Sequence, residues 1–472
     1  MVRNVLTWLN EKGLIGTKDF YRKVLSLALP IMAQNIVTNF VNLVNNLMVG
    51  KLGTEELSGV AISNQLIFVY SMSISGILAG AGLFTAQFVG RNDEEGVRNT
   101  FRYKLFFSGL ITLLLIILFY CFGNSLIGTF LNKNSATSAI GLTDIIAKKY
   151  LNIMLIGLIP FAVTQVYAST LRETGYVIMP VIASFVAVIL NTILNYVLIY
   201  GKFGIPELGT SGAAISTVIS RIVECSILIF GVWKGKDVHV FIKKSYLFWK
   251  LPEDLLKRIL LKGIPTFISI LSWSVGVTIL VQAYSVRGLD AIAAYNIAST
   301  VNGIFTNVFG ALGVTLLIVV GQLLGAGQME YARDVNKKII AFAIVVCIVI
   351  AVIMSLVAPL ISKGYNTSED VKRQANYVMW IMASILPCCG FTNCASSTLR
   401  AGGLTTLGFI LDGMYALCIS APMAVILSRY TNISFVSLFF ICQYLEVIKA
   451  AIQFYFVKKG DWLQNVVNSG AI

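Results

Sequence analysis

The 472-residue chain is 57% apolar and only 12% charged, with a mean hydropathy of +0.81 and a formal net charge of +14. That balance excludes a soluble globule. Apolar runs of twenty or more residues recur along the whole length, and each is long enough to cross a bilayer as a helix. Lipid offers the backbone no hydrogen-bond partners, so helices are the economical spanning solution, and the alternating pattern of a transmembrane barrel is absent.

Residues 1–21 mix polar and apolar positions, with Arg3, Lys12 and Lys18 scattered through them. They are expected to form a surface-lying helix rather than a cleavable signal peptide, because no small-residue cleavage site follows an apolar core. Twelve spans are predicted, at roughly 22–49, 57–86, 102–123, 146–170, 177–199, 211–233, 257–284, 293–325, 338–361, 374–399, 405–428 and 433–457. They divide into an N-terminal six-helix bundle with its leading segment (1–233), a basic linker (234–252) and a C-terminal six-helix bundle (253–472).

If the N-terminus is cytoplasmic, the inside segments hold 24 of the 36 Lys and Arg and the outside loops hold ten. The largest inside cluster joins spans 6 and 7: Lys234, Lys236, Lys243, Lys244, Lys250, Lys257, Arg258 and Lys262. This asymmetry is the positive-inside pattern, so both termini are expected in the cytoplasm and no nucleic-acid partner is expected.

The eight cysteines sit in apolar surroundings without metal-type spacing, and the single histidine, His239, lies in the basic linker. No metal site or bound cofactor is expected. Neither a GxxxxGK[ST] phosphate loop nor a soluble domain able to house a nucleotide engine is present. Transport would therefore draw on ion gradients or run passively.

The chain repeats itself. Gln87-x-x-Gly90-x4-Glu95-x-x-Arg98 recurs 235 residues later as Gln322-x-x-Gly325-x4-Glu330-x-x-Arg333, and the same offset aligns Pro30 with Pro265 and Gly53 with Gly288. Ser169-Thr170-Leu171-Arg172 recurs as Ser397-Thr398-Leu399-Arg400, and Gly175 as Gly403, at an offset of 228. Six spans per half is an even number, so the two halves enter the membrane in the same sense and the repeat is parallel.

At these residues the chain resembles the multidrug and toxic compound extrusion (MATE) family of cation-coupled antiporters. The resemblance covers essentially the whole length. Its most specific stretches are Asn45-Asn46-Leu47-Met48-Val49-Gly50-Lys51-Leu52-Gly53, Asn64-Gln65, Leu171-Arg172-Glu173-Thr174-Gly175, Asn191-x3-Asn195-Tyr196, Gly201-Lys202-Phe203-Gly204 and Gly212-Ala213-Ala214. It implies an all-α membrane protein with two pseudo-symmetric six-helix bundles in a V-shaped fold. It also implies a multi-pass protein of the bacterial cell membrane, exporting amphipathic or cationic compounds against Na⁺ or H⁺ by alternating access.

Several residues are candidates for that work. Asn35, Asn39, Asn42 and Asn46 fall on one narrow stripe of span 1, and Asn296, Thr300, Gly303 and Asn307 form a similar stripe in span 8. Amides facing hydrocarbon would go unsatisfied, so each stripe either glues helices together or lines a substrate cavity. The resemblance places a carboxylate near the end of span 1 and another in span 5 of many relatives. Asn45 and Asn195 stand at those positions here, with Asn191 one turn before. An amide cannot titrate, which puts an N-terminal proton relay in doubt. In relatives that use the C-terminal bundle, span 7 carries a Glu about eight residues after its proline, and here that position is Trp273. An aromatic there suits packing or contact with a flat cation.

The ion-coupling candidates are the three carboxylates left within the spans, Glu224, Glu446 and Asp412. Arg221 precedes Glu224 by three residues and Lys449 follows Glu446 by three, so each pair can neutralise along its own helix. Asp412 has no partner within a helical turn and is the first choice for a titrating group. Pro30 and Pro265 are read either as hinges or as static kinks. The chain is expected to act as a monomeric, non-enzymatic transporter of small molecules in the lipid bilayer. The alternative is a lipid or lipid-linked saccharide flippase, which would be expected to keep a cationic cavity for phosphate headgroups.

Overall fold

The computed structural model describes residues 13–130, 137–243, 245–246, 252–363, 365 and 367–468. Among them are twelve helices long and apolar enough to cross a membrane, and no strand. In chain order they are α1 Lys18–Gly50, α2 Thr54–Gly90, α3 Glu94–Phe130, α4 Thr137–Glu173, α5 Ile178–Tyr200 and α6 Gly209–Lys234 in the first half. A short 3₁₀ turn at Val240–Ile242 follows. The second half holds α7 Glu253–Ser285, α8 Leu289–Gly325, α9 Met329–Lys363, α10 Glu369–Ala401, α11 spanning Thr405–Tyr430, and α12 Phe435–Lys459. Each predicted span finds its helix. Residues 13–17 are not helical and α1 begins at Lys18. The rest of the expected surface helix lies outside the described residues.

Local chemistry sets the helix ends. Ser434 caps α12 by accepting the Ser437 amide at 3.2 Å, and Ser368 caps α10 by accepting that of Val371 at 3.3 Å. Glu369 and Asp370 then sit in the first turn of α10, with Arg400 in its last, as the helix dipole favours. Gly201 and Gly460 close α5 and α12 in the left-handed region, with φ of 62° and 89°. Pro30 and Pro265 both lie inside unbroken helices.

α11 departs from regular geometry. Residues Phe409–Met414 and Ala416–Ser420 wind as π-helix, with Asp412 inside the first of these turns. Such wide turns shift the face on which every later side chain emerges, and they cluster at functional positions.

The chain resolves into two compact units. One contains Ala33–Thr85 and the described residues of Glu94–Arg258. The other contains the described residues up to Met32, Ala86–Asp93 and those from Ile259 onward. The sequence reading cuts the chain once, at 234–252. Here the 86–93 turn, although it belongs to the first half of the sequence, packs within the second unit. Helix pairing recurs between the units: α3 with α4 and α4 with α6 in one, α9 with α10 and α10 with α12 in the other.

One apolar core of the second unit gathers Tyr284, Met354, Met379, Phe435 and Phe439. Another gathers Leu312, Leu316, Leu324, Ile339 and Trp462. The segment after α12 folds back onto this second core. Gln87 holds it there, accepting the Val466 amide at 2.8 Å and donating to the carbonyls of Ala401 (2.9 Å) and Gln464 (3.2 Å).

Candidate functional site

In the first unit the amides near the ends of α1 and α5 form one buried network. Asn195, fully buried, donates to Asn45 and, at 3.1 Å, to the Asn191 side-chain oxygen, and it accepts from the Ser216 hydroxyl. Asn191 donates in turn to Thr217 at 3.4 Å. Every partner is neutral, so the network holds α1, α5 and α6 together without a titrating group.

A second polar string lies along the same three helices. Gln34 donates to Ser184 at 2.9 Å, and Ser184 donates to Glu224 Oε1 at 2.5 Å. Arg172, from the end of α4, reaches Gln34 Oε1 at 3.4 Å. Arg221 does not close onto Glu224 as the i,i+3 spacing suggests. Its guanidinium reaches the Gly157 carbonyl at 3.5 Å and lies over the Phe161 ring, 4.9 Å from its centroid. The spacing places the two side chains on one face of α6, but α4 offers Arg221 a carbonyl and an aromatic face.

The second unit holds the one place where two intramembrane carboxylates meet a cation among the described residues. Lys449 Nζ lies 2.6 Å from Glu446 Oε1 and 3.7 Å from Asp412 Oδ1. Asp412 Oδ1 also accepts from Ser396 at 2.9 Å and from Gln453 Nε2 at 3.3 Å, while Glu446 Oε1 accepts from Thr392 at 2.8 Å. The expectation that Asp412 lacks a partner within its own helix is consistent with this geometry. Its partners come from α10 and α12, which sequence spacing along α11 does not reveal. Lys449 is nearly buried, at 11% side-chain exposure, whereas Asp412 and Glu446 remain 23% and 25% exposed.

The two polar regions are related by the repeat. The 228-residue offset that aligns Arg172 with Arg400 and Arg221 with Lys449 also aligns Ser184 with Asp412. In the first unit the carboxylate comes from α6 and Ser184 donates to it. In the second, the position of Ser184 itself carries the carboxylate, and Gln453 of α12 and Ser396 of α10 donate to it.

The remaining candidates are dispersed. Asn39 and Asn46 are exposed, Asn35 is half-buried, and the Asn42 side chain lies outside the described residues. In α8, Asn296 and Thr300 are exposed. Thr300 and Asn307 bond back to their own helix, at the carbonyls of Asn296 and Gly303, each at 2.8 Å. Trp273 is 47% exposed. Gln34, Ser184, Ser396, Thr392 and Gln453, which complete the charged sites, escaped the sequence reading. A lone Ser, Thr or Gln in an apolar helix carries no signal of its own there.

Known proteins share this organisation. The chain is 24% identical over 453 residues to the probable multidrug resistance protein NorM of Thermotoga maritima, covering 95% of this chain and 94% of that one. It is 23% identical to the probable multidrug resistance protein YoeA of Bacillus subtilis, over 88% of each. A crystal structure of a MATE protein in complex with MaL6 superposes with a TM-score of 0.84 at 20% identity, covering 96% of this chain and 98% of that one. A MOP superfamily transporter from Pyrococcus furiosus matches with the same score, identity and coverage. The MatE family profile matches twice, at residues 30–197 and 265–442, one match for each copy of the internal repeat. With the family profile matched in both halves and its fold shared along nearly the whole length, this twelve-helix membrane protein belongs to the MatE family.

Proposed function

We propose that the chain is a secondary antiporter of the bacterial cell membrane, expelling amphipathic or cationic small molecules in exchange for an inward-moving cation. Family membership and relatives named as multidrug resistance proteins support the efflux part of this reading. The observation that carries the exchange part is the Asp412–Lys449–Glu446 cluster. Groups that change charge inside a membrane are costly to keep and mark ion pathways. The first unit offers amides at Asn45 and Asn195 and the carboxylate of Glu224 held by Ser184, whereas the second brings two carboxylates to one ammonium, which supports the second as the place where the ion is handled. The Lys-rich connections support a cytoplasmic side for both termini.

Alternating access supplies the rest. Exchange requires ion and substrate to differ in their affinity for the two openings, because a ligand indifferent to state shifts nothing. The expected experiment is expression in a bacterium stripped of its own efflux pumps. Steady-state ethidium accumulation should fall and tolerance to ethidium should rise. Unchanged accumulation in cells whose membranes contain the protein would sink the efflux reading.

A further inference from the structure

We propose that the seam between α3 and α4 binds one phospholipid with an ethanolamine headgroup, its phosphodiester on Lys148 and an acyl chain in an apolar groove. The site lies wholly within the first unit and does not depend on what the protein transports.

Two cavities follow one another along this seam. The first is a groove of about 250 Å³ lined by Leu105, Gly109, Leu113, Ile116, Ile159 and Val163. Its lining is apolar except for Ser108 and Thr112, both of which are buried. Gly109, Leu113 and Ile159 are exposed, so the groove opens sideways, and Leu110, Leu114 and Ile117 beside it are exposed as well. In the middle of a membrane span such a surface faces hydrocarbon. A Cβ on Gly109 would meet nothing within 4 Å, so the missing side chain gives the groove its depth. An empty groove forfeits dispersion contacts on its open side, and a hydrocarbon chain laid in it restores them.

The second cavity, of about 100 Å³, is lined by Tyr120, Asn124, Lys148 and Asn152. On α3 it begins three residues beyond the groove, at Phe119 after Ile116, about 5 Å along the helix axis. Tyr120 is exposed there, an aromatic with a polar tip of the kind that marks the lipid–water boundary. Lys148 Nζ donates to Asp144 Oδ2 at 2.6 Å. An ammonium has three N–H groups, so it keeps donors for the oxygens of a phosphodiester, with the exposed amides of Asn124 and Asn152 alongside. Asp144 stands one turn nearer the start of α4, about 6 Å further from the groove.

From the start of α4 inward, the seam therefore presents a carboxylate, then an ammonium, then an apolar groove. An ethanolamine phospholipid presents an ammonium, then a phosphodiester, then acyl chains. Each level of the lipid meets its complement in the same order. A glycerol headgroup would bring no charge to Asp144 and leave that level unmatched. Lys149, next in sequence, does not line the pocket and adds no second cation to it. With the termini in the cytoplasm, as proposed above, α3 ends and α4 begins at the outer face, and the lipid belongs to the outer leaflet.

The test is photo-crosslinking of the full chain in nanodiscs of phosphatidylglycerol. They carry a trace of phosphatidylethanolamine or phosphatidylglycerol with the same diazirine-bearing acyl chain, and labelled peptides are mapped by mass spectrometry. The ethanolamine probe should label residues 105–116 and 159–166 about fivefold more than the glycerol probe, as expected for one added ionic contact. Gly109→Phe, which fills the groove, and Lys148→Gln should each abolish that excess, and Lys148→Arg should keep most of it. The two probes should label the exposed face of α9 around Val349 and Val352 alike in every variant, which shows that the variants are folded and inserted. Equal labelling of the seam by both probes in the wild type would overturn the ethanolamine assignment. An excess that survives in both Gly109→Phe and Lys148→Gln would overturn the site. The readout is lipid contact, so failure of the efflux reading would leave this inference standing.

Discussion

Gly90 and Gln322 meet backbone to backbone: a Cβ on Gly90 would overlap the Gln322 carbonyl, and a Cβ on Gly325 would overlap that of Gln87. The two copies of the Gln-x-x-Gly motif therefore cross each other reciprocally, and the glycine of each copy makes room for the glutamine of the other. Neither helix end can yield without moving backbone. Gly90→Ala and Gly325→Ala should each destabilise the protein by about 1–3 kcal/mol, the usual cost of overpacking. Because both strain one crossing, the double variant should cost less than the two singles together. Thermal unfolding of detergent-solubilised protein checks this. Gly109→Ala, whose Cβ meets nothing within 4 Å, is the control.

Lys104 is fully buried and pairs with Glu173, with further bonds to Ser169 at 3.2 Å and Thr170 at 3.5 Å. Ser169 also donates to Glu173 Oε1 at 2.7 Å. Removing one partner of a buried pair leaves the other charge without its counterion, at a cost of about 3–5 kcal/mol. Lys104→Met should therefore reduce the amount of folded protein sharply. The double variant Lys104→Met with Glu173→Gln should recover much of it, since both charges are then gone. A double variant no more stable than Lys104→Met alone would show that the ammonium acts through its hydroxyl contacts rather than through charge.

Hydropathy marks the twelve spans because helices in lipid must be long and apolar, and the repeated turns stand out because glycine is required where backbones cross. Partnerships across helices were not legible. The i,i+3 spacing offered Arg221 to Glu224, but nothing in the sequence of α4 announces that Gly157 and Phe161 compete for the guanidinium. Lys449 reaching Asp412 as well as Glu446 depends on the register of α11 against α12. That register is displaced by π-turns which a 3.6-residue period cannot foresee. Asn45 stands out through its motif, while its bond to Asn195 is a matter of how α1 and α5 meet.

His239 lies buried in the segment between α6 and α7, edge-on to Tyr176 at 4.6 Å, and its Nδ1 has no partner. Burial pushes its pKa below the usual value. The neutral ring is thus the folded form, and the unfolded segment takes up a proton first as pH falls. Its stabilising contribution is full above about pH 6.5 and is lost toward lower pH. Nearby, the Lys243 ammonium holds the Asp237 carboxyl below its usual range at a 2.9 Å contact, so that pair persists through this window. Limited trypsin cleavage after Lys236 and Lys243, compared between about pH 8 and pH 5.5 with the protease's own pH response subtracted, should speed up in the wild type. His239→Phe should flatten the response.

Asn195 is the hub of the neutral network, with three side-chain partners against one for Asn45. Asn195→Ala leaves the oxygens of Asn45 and Asn191 without their donor, and Ser216 keeps only its bond to the Ala213 carbonyl at 2.9 Å. Unsatisfied buried groups cost about 1–3 kcal/mol each, so Asn195→Ala should be clearly more destabilising than Asn45→Ala. Asn195→Asp is the sharper probe. The substitution keeps the shape and the acceptor for Ser216, yet it turns a carboxylate oxygen toward two amide oxygens that expect a donor. A protonated carboxyl restores one of those donors, so Asn195→Asp should recover thermal stability as pH falls, while Asn195→Ala should not. Equal melting temperatures for Asn195→Asp across the pH range would mean that the amides of Asn45 and Asn191 turn over to present their nitrogens. The first unit could then accept a charge at this place without rearranging its helices.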